Sequence, residues 1–160
     1  MIRKASPSDA WAIAEIHNYY VKNTAVTTEL ECSTPYAFVM RIEQCGQVGP
    51  YLVHEDHGAV VGYACISEIR GRKACEHAAE SRIYVKNGFV GQGIGSKLYA
   101  ELLSQTVSRY QVIVAGITLS NEVGIKFHEK CGFSRVTHFS EATQKFGEWV
   151  EVGFWQKVEA

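Results

Sequence analysis

The first quarter of the chain shows two helix starts, each followed by apolar residues at helical spacing. At residues 6–9 (SPSD), a serine cap precedes a proline at the first helical position and a carboxylate at the third. Ile13 and Ile16 then recur on one helical face. A second start at residues 34–35 (TP) predicts a shorter helix that ends near Gly46.

The middle of the chain reads as strands. The runs YLVHED and AVVGYACISEI flank His57-Gly58, which predicts a hairpin with glycine at a positive φ. A third strand-like run is ESRIYVK. The pattern therefore changes from helical to β-type at about residue 51.

The second half alternates helices and strands. A helix is expected from about Gly95 to Arg109, followed by VIVAGITL, an apolar run typical of a strand buried on both faces. Asn121 begins another helix that ends at residues 131–132 (CG), and the tail FGEWVEVGFWQKV is strand-like. The alternation predicts a mixed α/β (α+β) domain.

Composition indicates one compact domain over residues 1–160, because 46% of residues are hydrophobic and 21% are charged. The formal net charge is -1, without a basic block, which argues against nucleic acid or an anionic membrane surface as a partner. No apolar run has the length of a signal peptide core or a membrane helix. A small molecule or a protein is the expected partner.

Cysteine usage points to a reducing compartment. The five cysteines are odd in number, widely spaced and without a CxxC pair, which argues against a disulfide framework and a zinc site. We therefore expect a cytoplasmic protein without a bound metal. The cysteines are Cys32, Cys45, Cys65, Cys75 and Cys131.

The stretch VGQGIGSKLYAEL, residues 90–102, places three alternate glycines before a helix. A dinucleotide fingerprint would need its third glycine where Ser96 stands, and a nucleotide-triphosphate loop would need a lysine directly after its second glycine. A helix N-terminus with free amides and a close glycine backbone suits a phosphate or pyrophosphate. A tight turn without a ligand fits the glycines equally well.

Further residues decide between these interpretations. The order strand, GQGIGSKL, buried strand and SNEVGIKFHEKCGF resembles the core of the GNAT superfamily of acyl-CoA-dependent N-acetyltransferases. Gly93 and Gly95 match its loop glycines, and Asn121 matches the start of its later helix; Val90 departs from the usual Gln or Arg. The resemblance implies a mixed, mostly antiparallel central sheet flanked by helices.

The resemblance narrows over nearly the whole chain. AESRIYV, FHEKCGF and KFGEWVEVGFWQ look like the phosphinothricin and methionine sulfoximine acetyltransferase group. The similarity implies an N-acetyltransferase of the EC 2.3.1 class that uses acetyl-CoA to acetylate the amine of a small amino acid or analogue. It also implies a homodimer, with Trp149, Phe154 and Trp155 either completing the core or pairing subunits.

Two catalytic residues follow from this resemblance. Glu80 matches the glutamate that takes the ammonium proton before attack on the thioester, and His128 stands where the group carries a histidine that protonates the thiolate or relays a proton. Without the resemblance, Glu80 would be an ordinary strand-edge acid and His128 a packed core side chain.

The resemblance also assigns binding residues. In the acceptor site, Arg70 and Arg72 would face the acidic end of the substrate, although a solvated loop is an equal alternative. Thr28 and Cys75 replace aromatic residues of herbicide-detoxifying relatives, which favours methionine sulfone or sulfoximine over phosphinothricin. The expected acetyl-CoA contacts are the backbone of Ile83, Tyr84 and Val85, the loop residues Val90, Gly91, Gln92, Gly93, Ile94, Gly95 and Ser96, and the side chain of Asn121.

Two other functions fit parts of the sequence. A non-catalytic acyl-CoA-binding module would bind acetyl-CoA without releasing CoA. A protein or ribosomal N-terminal acetylase would acetylate peptides but not free amino acids.

Overall fold

The computed structural model describes residues 1–69 and 76–159, excluding the side chains of residues 138–142. It contains four α-helices, one 3-10 turn (Pro7–Asp9) and seven strands within those ranges. The helices are α1 (Ala10–Asn23), α2 (Pro35–Val48), α3 (Ile94–Ser104) and α4 (Glu122–Lys130); the strands are β1 (Ile2–Lys4), β2 (Tyr51–Asp56), β3 (Ala59–Ser67), β4 (Ala78–Val85), β5 (Val112–Thr118), β6 (Ser134–Lys145) and β7 (Glu148–Val158).

The described strands form one sheet in the order β1-β2-β3-β4-β5-β7-β6. The pairing of β4 with β5 is parallel, and the other five pairs are antiparallel. This mixed, mostly antiparallel sheet with flanking helices confirms the predicted fold class.

The sheet separates between β4 and β5. Their pairing covers Ala78–Glu80 against Val112–Val114, beyond which the described part of β4 continues beside β3 alone and β5 continues beside β7. A gap therefore opens in the middle of the sheet, toward the carboxyl ends of the two strands.

Backbone groups of β4 face this gap. The amide of Lys86, just after β4, donates to the carbonyl of Val61 in β3 at 2.8 Å. Along an antiparallel strand, residues whose backbone groups bond to a given neighbouring strand alternate with residues whose backbone groups point away from that strand. Tyr84 lies two residues before Lys86, so its backbone groups also point toward β3. The backbone groups of Ile83 and Val85 are directed into the gap.

The two faces of the sheet carry separate cores. Helices α1 and α2 pack on one face against buried residues that include Tyr51, Val53 and Tyr63. Helices α3 and α4 lie over the other face, where Trp155 is only 1% exposed and packs in a cluster with Tyr99. Burial of each large apolar side chain contributes about 1.5–3 kcal/mol, so both faces stabilise the sheet.

Several predicted elements are confirmed with shifted ends. His57 and Gly58 both have positive φ (48° and 79°), as the predicted hairpin requires. Helix α2 continues past Gly46 and ends before Gly49, whose amide donates to the carbonyl of Cys45 at 2.8 Å. Helix α3 ends at Ser104, before the expected Arg109.

Strand β5 differs from the prediction of burial on both faces. Ile113, Ala115 and Ile117 are buried, but Gly116 on the opposite face is exposed because it borders the gap. Strands β1 and β6 were not predicted. No helix in the described ranges is long and apolar enough to cross a membrane.

The start of the chain is joined to the sheet by Arg3. Its guanidinium forms a two-pronged contact with the buried carboxylate of Asp9, at 2.8 Å for each oxygen, and its Nε contacts Glu55 at 2.9 Å. Asp9 also accepts the amide of Ser6 at 2.8 Å, which satisfies a donor at the predicted helix start. The hydrogen bond from Arg3 is the main cause that lowers the pKa of Asp9.

We expect Asp9→Asn to lower the free energy of unfolding by about 1–2 kcal/mol at neutral pH, because it removes a charge-assisted pair that is one-third exposed on the arginine side. Since the pKa of Asp9 is lowered in the folded state, this contribution is complete above its usual value of 3.8 and is lost as the pH falls below it. Urea unfolding at pH 7 and pH 3 measures the difference.

Glu55→Gln is the matched control, because it removes one contact to a carboxylate that is 26% exposed. It should cost less than Asp9→Asn. Equal losses in the two variants, or an Asp9→Asn loss that does not shrink at pH 3, would contradict the assignment.

Candidate active site

A cleft of about 470 Å³ lies on the α1–α2 face of the sheet, where β4 and β5 separate. The α1–α2 loop forms one wall, and β4, β5 and β7 form the floor. The lining residues are His17, Val26, Thr27, Thr28, Glu29, Glu68, Glu80, Arg82, Tyr84, Gly116, Thr118, Thr143, Val152 and Phe154.

Glu80 is the last residue of β4 that pairs with β5, and its side chain lines this cleft. Its side chain is 22% exposed, and its Oε1 lies 3.9 Å from Nε of Arg82, two residues further along the same face. A Cβ on Gly116 would lie 3.4 Å from the ring of Phe154 and 4.0 Å from Glu80 Oε1. Glycine at this position keeps the space beside the carboxylate open.

The α1–α2 loop that forms one wall of the cleft is held by a series of side-chain hydrogen bonds that begins in the core. The hydroxyl of Tyr63 and Nδ1 of His17 are 2.8 Å apart, and Nε2 of His17 contacts Glu29. Arg41 donates to the other oxygen of Glu29 at 3.3 Å. The hydrogen bond with His17 is the main cause that lowers the pKa of Glu29, so this wall carries a carboxylate at neutral pH.

A second contact fixes the same loop from the C-terminal hairpin. Lys145, at the end of β6, is only 4% exposed, and its Nζ donates to the carbonyl of Thr27 at 2.9 Å. Burial lowers the pKa of this lysine. The position of the Thr27–Thr28 wall therefore depends on the β6–β7 hairpin.

The glycine loop reaches α3 through two left-handed residues. Gly91 has φ 86° and Gly93 has φ 78°, and Gly93 is the residue that precedes the first turn of α3. Gly95 lies inside the helix, where an added Cβ would be 3.6 Å from Phe127 and from Val85. The first amides of α3 thus start beside the end of β4, at the mouth of the gap, in the arrangement that binds a phosphate group.

Asn121 caps the start of α4 and His128 lies within this helix, on the other face of the sheet. The Oδ1 of Asn121 accepts the amide of Gly124 at 2.9 Å and caps the helix. His128 is buried, and its ring packs edge-on against Tyr99 at 5.2 Å and Phe133 at 5.4 Å.

The hydrogen bond of His128 defines its tautomer. Because a carbonyl only accepts, Nδ1 must donate to the carbonyl of Gly124, 2.8 Å away, which leaves Nε2 with a lone pair in the neutral ring. Burial is the main cause that lowers the pKa of His128. In this tautomer the neutral ring has no proton on Nε2 to donate. It can accept a proton there first and then pass it on, as a relay does.

Comparison with known proteins identifies this architecture. The acetyltransferase (GNAT) domain model matches residues 2–152. The chain belongs to the GNAT acetyltransferase family. It is an N-acetyltransferase of the EC 2.3.1 class, related to the phosphinothricin and methionine sulfoximine acetyltransferases.

Two curated relatives of this GNAT acetyltransferase match it over nearly its full length. The phosphinothricin N-acetyltransferase of Streptomyces viridochromogenes is 33% identical over 98% of this chain and 86% of its own. The L-methionine sulfoximine/L-methionine sulfone acetyltransferase of Salmonella typhimurium is 31% identical over 97% of this chain and 92% of its own.

Solved structures agree in fold. A putative acetyltransferase from Salmonella typhimurium with its cofactor acetyl-CoA superposes with a TM-score of 0.94 at 31% identity, over 99% of this chain and 92% of that one. A ribosomal-protein-alanine N-acetyltransferase from Brucella melitensis gives a TM-score of 0.94 at 32% identity, over 99% of each chain.

The structure brings together only part of the site expected for a GNAT enzyme. Glu80 and Thr28 line the cleft, whereas His128 is on the opposite face of the sheet. Arg70, Arg72 and Cys75 lie outside the described residues. Residues 90–96 lead into and begin α3, and their contacts with acetyl-CoA stay a prediction, as do those of residues 83–85 and Asn121.

Sequence reasoning missed the polar residues that line the cleft beside Glu80. Arg82 stands two residues after Glu80, and same-face spacing on a strand could have identified it. His17 follows the apolar spacing of α1 and resembles a core residue, and Glu29 lies in a loop without a motif. Among the described residues, no group of three or more His, Cys, Asp or Glu side chains could hold a metal ion.

We expect His128 to make the fold of this GNAT enzyme acid-sensitive. Because burial lowers its pKa in the folded state, the unfolded chain binds the proton first as the pH falls below about 6.5, and folding stability falls with it. His128→Asn, whose amide can still donate to the Gly124 carbonyl, should lose that part of the slope between pH 7 and pH 5 in urea unfolding.

His57→Asn is the control for replacing a histidine, because the side chain of His57 is 94% exposed and its replacement should change the free energy of unfolding less than that of His128. An unchanged slope in His128→Asn would show that His128 is already neutral or equally charged in both states, against the prediction.

Proposed function

We propose that this enzyme uses acetyl-CoA to acetylate the amine of a small amino acid or amino-acid analogue. The observation that carries the proposal is the position of Glu80, at the last paired residue before β4 and β5 separate and within the cleft. Acetyl-CoA bound in the gap and an amine substrate bound in the cleft would meet beside this carboxylate.

Glu80 is assigned as the general base. An amine attacks a thioester only when its nitrogen is neutral, so the ammonium proton must move to a base, directly or through water. Glu80 accepts this proton, the amine nitrogen bonds to the thioester carbon, and the carbon–sulfur bond breaks to release CoA thiolate. His128 stays a prediction as the relay that returns a proton toward the thiolate.

The gap and the α3 N-terminus are assigned to acetyl-CoA. The backbone groups of Ile83 and Val85 would pair with the amide-containing arm of the donor, as a neighbouring strand does. The Val85 carbonyl already accepts the hydroxyl of Tyr20 at 2.5 Å, which leaves Ile83 as the main partner. The amides that follow Gly93 would hold the pyrophosphate, with the helix dipole behind them.

The acceptor is assigned from the cleft and the relatives. The curated relatives are named for phosphinothricin and for methionine sulfoximine or sulfone, and we extend this class of amine to the present chain. The short side chain of Thr28 leaves room in the wall, and it favours methionine sulfone or sulfoximine over phosphinothricin. Arg70 and Arg72 stay predicted partners of the acidic end.

A second candidate is N-terminal acetylation of a protein. It is favoured by the 32% identity to the ribosomal-protein-alanine N-acetyltransferase of Brucella melitensis. A screen of methionine sulfone, methionine sulfoximine, phosphinothricin and an alanine-led peptide, read by free thiol, separates the two. Acetylation of the peptide without any free amino acid would replace the first proposal by the second.

The predicted homodimer is part of the proposal. The three aromatic residues of the tail have different environments: Trp155 is 1% exposed in the core, Phe154 lines the cleft and Trp149 is 60% exposed. Trp149 and the neighbouring Phe146 are therefore the aromatic residues of the tail that offer exposed apolar surface for pairing two subunits.

Replacing Glu80 tests the base. Glu80→Gln keeps the shape of the side chain but removes its basicity, so we expect turnover to fall by about 10²–10⁴ with little change in acetyl-CoA affinity. Glu151→Gln, on the exposed surface of β7, is the matched control and should keep the wild-type rate. A Glu80→Gln enzyme with the wild-type rate across the pH range would refute the assignment.

Replacing Gly93 tests the donor site. A β-branched residue disfavours the left-handed φ of 78°, which costs about 1–2 kcal/mol, so Gly93→Val should raise the acetyl-CoA dissociation constant roughly tenfold in calorimetry. Gly46→Ala, in helical backbone with open space around it, should leave the affinity unchanged. Unaltered affinity in a folded Gly93→Val protein would remove the loop from the site.

A further inference from the structure

The cleft contains an arginine, Arg82, that makes no hydrogen bond to the described part of the chain. Arg82 lines the cleft, and its side chain is 49% exposed. Its one close polar contact with the described part of the chain is Glu80, at 3.9 Å from Nε, which is beyond hydrogen-bond length. By contrast, Arg3 and Arg41 each make several hydrogen bonds to side chains.

The charged residues that line the cleft with Arg82 are acidic. The described lining residues include three carboxylates, Glu29, Glu68 and Glu80, and one guanidinium, that of Arg82. Both oxygens of Glu29 are engaged by His17 and Arg41. Glu29 therefore cannot offer Arg82 a free pair of oxygens, and within residues 1–69 and 76–159 no group accepts a hydrogen bond from the five donors of the guanidinium.

We infer that Arg82 binds the α-carboxylate of the acceptor while Glu80 receives its amine. The inference rests on the proposed function and adds the residue that selects the acceptor. In an α-amino acid, the amine nitrogen and the carboxylate carbon are bonded to the same carbon atom. A carboxylate and a guanidinium side by side on one strand face therefore present the charges that complement the amine and the carboxylate of one acceptor.

This geometry has a chemical consequence for the acceptor. A guanidinium binds a carboxylate with two parallel charge-assisted hydrogen bonds, which a neutral amide cannot reproduce. Arg82 thus favours free amino acids over peptides and over simple amines. Binding of the carboxylate would also draw Arg82 away from Glu80, which leaves the glutamate to accept the proton.

The test compares one acceptor in two forms. Methionine sulfone and its primary amide share the amine and the side chain and differ in the carboxylate. With saturating acetyl-CoA and thiol release as the readout, we expect Arg82→Gln to raise the KM for methionine sulfone roughly 10- to 100-fold, as for a lost charge-assisted contact. The KM for the amide and for acetyl-CoA should change less than about threefold.

Matched variants test whether the rise in KM comes from losing the two-pronged guanidinium of Arg82. Arg82→Lys keeps the charge without the planar fork and should recover part of the affinity for the acid. Arg109→Gln removes the same charge at a residue outside the cleft and should change neither acceptor. Arg70→Gln and Arg72→Gln, measured in parallel, compare Arg82 with the arginines predicted for this role.

The outcomes distinguish a failure of the role assigned to Arg82 from a failure of the proposed function. If the wild-type enzyme acetylates methionine sulfone but Arg82→Gln leaves its KM unchanged, or raises the KM of acid and amide equally, Arg82 is not the anchor and the proposed function stands. A selective effect in Arg70→Gln or Arg72→Gln alone would also overturn the inference. If the wild-type enzyme acetylates the amide or peptides but no free amino acid, the proposed function fails as well.

Discussion

The separation of β4 from β5 is the constraint on which the site depends. Two parallel strands that pair over three residues and then part leave backbone donors and acceptors without a neighbour inside the sheet. The fold tolerates this because each strand keeps a full antiparallel partner on its other side, β3 for β4 and β7 for β5. The cost is thus confined to one edge of each strand, and that edge is where a ligand with amide groups can complete the pairing.

The two cores hold the separated halves apart. On the α1–α2 face, Tyr63 stacks between Tyr51 and Tyr84 at centroid distances of 5.8 and 5.5 Å. On the α3–α4 face, Tyr99 stacks on Phe133 and its hydroxyl lies 2.6 Å from that of Ser81. Rigid aromatic contacts therefore fix β4 from both sides, so that Glu80 has a defined position even where its strand has lost one neighbour.

Much of the fold could be predicted because its signals are local. The capping residues Thr34 and Asn121 each accept a backbone amide in the structure, and the His57-Gly58 turn has the dihedrals that its composition predicts. Strand β1 has three residues, too few for a period, and β6 contains two register irregularities that break its alternation. Such elements depend on pairing with distant strands, which a pattern along the chain does not contain.

The candidate site was predictable only where a motif carried it. Glu80 was predicted through the resemblance and the glycine loop through its spacing before a helix, whereas His17 and Arg82 acquire their positions from packing. His17 looks like a core residue in sequence, and in the structure it is indeed buried, but its Nε2 reaches Glu29 at the cleft. The spacing of apolar residues along a helix predicts which face is buried. It does not predict whether a polar atom of a buried side chain reaches a cleft.

The place of β7 between β5 and β6 has a consequence for how the protein is made. The last strand of the chain is an interior strand, which supplies Trp155 to one core and Val152 and Phe154 to the cleft. A ribosome releases residues in order from the N-terminus, so β5 would emerge without its main partner and stay unpaired on that side. The part of the sheet formed by β5, β7 and β6 can therefore assemble only after synthesis has passed residue 158, and a nascent chain stalled before that point would expose the edge of β5 to other proteins.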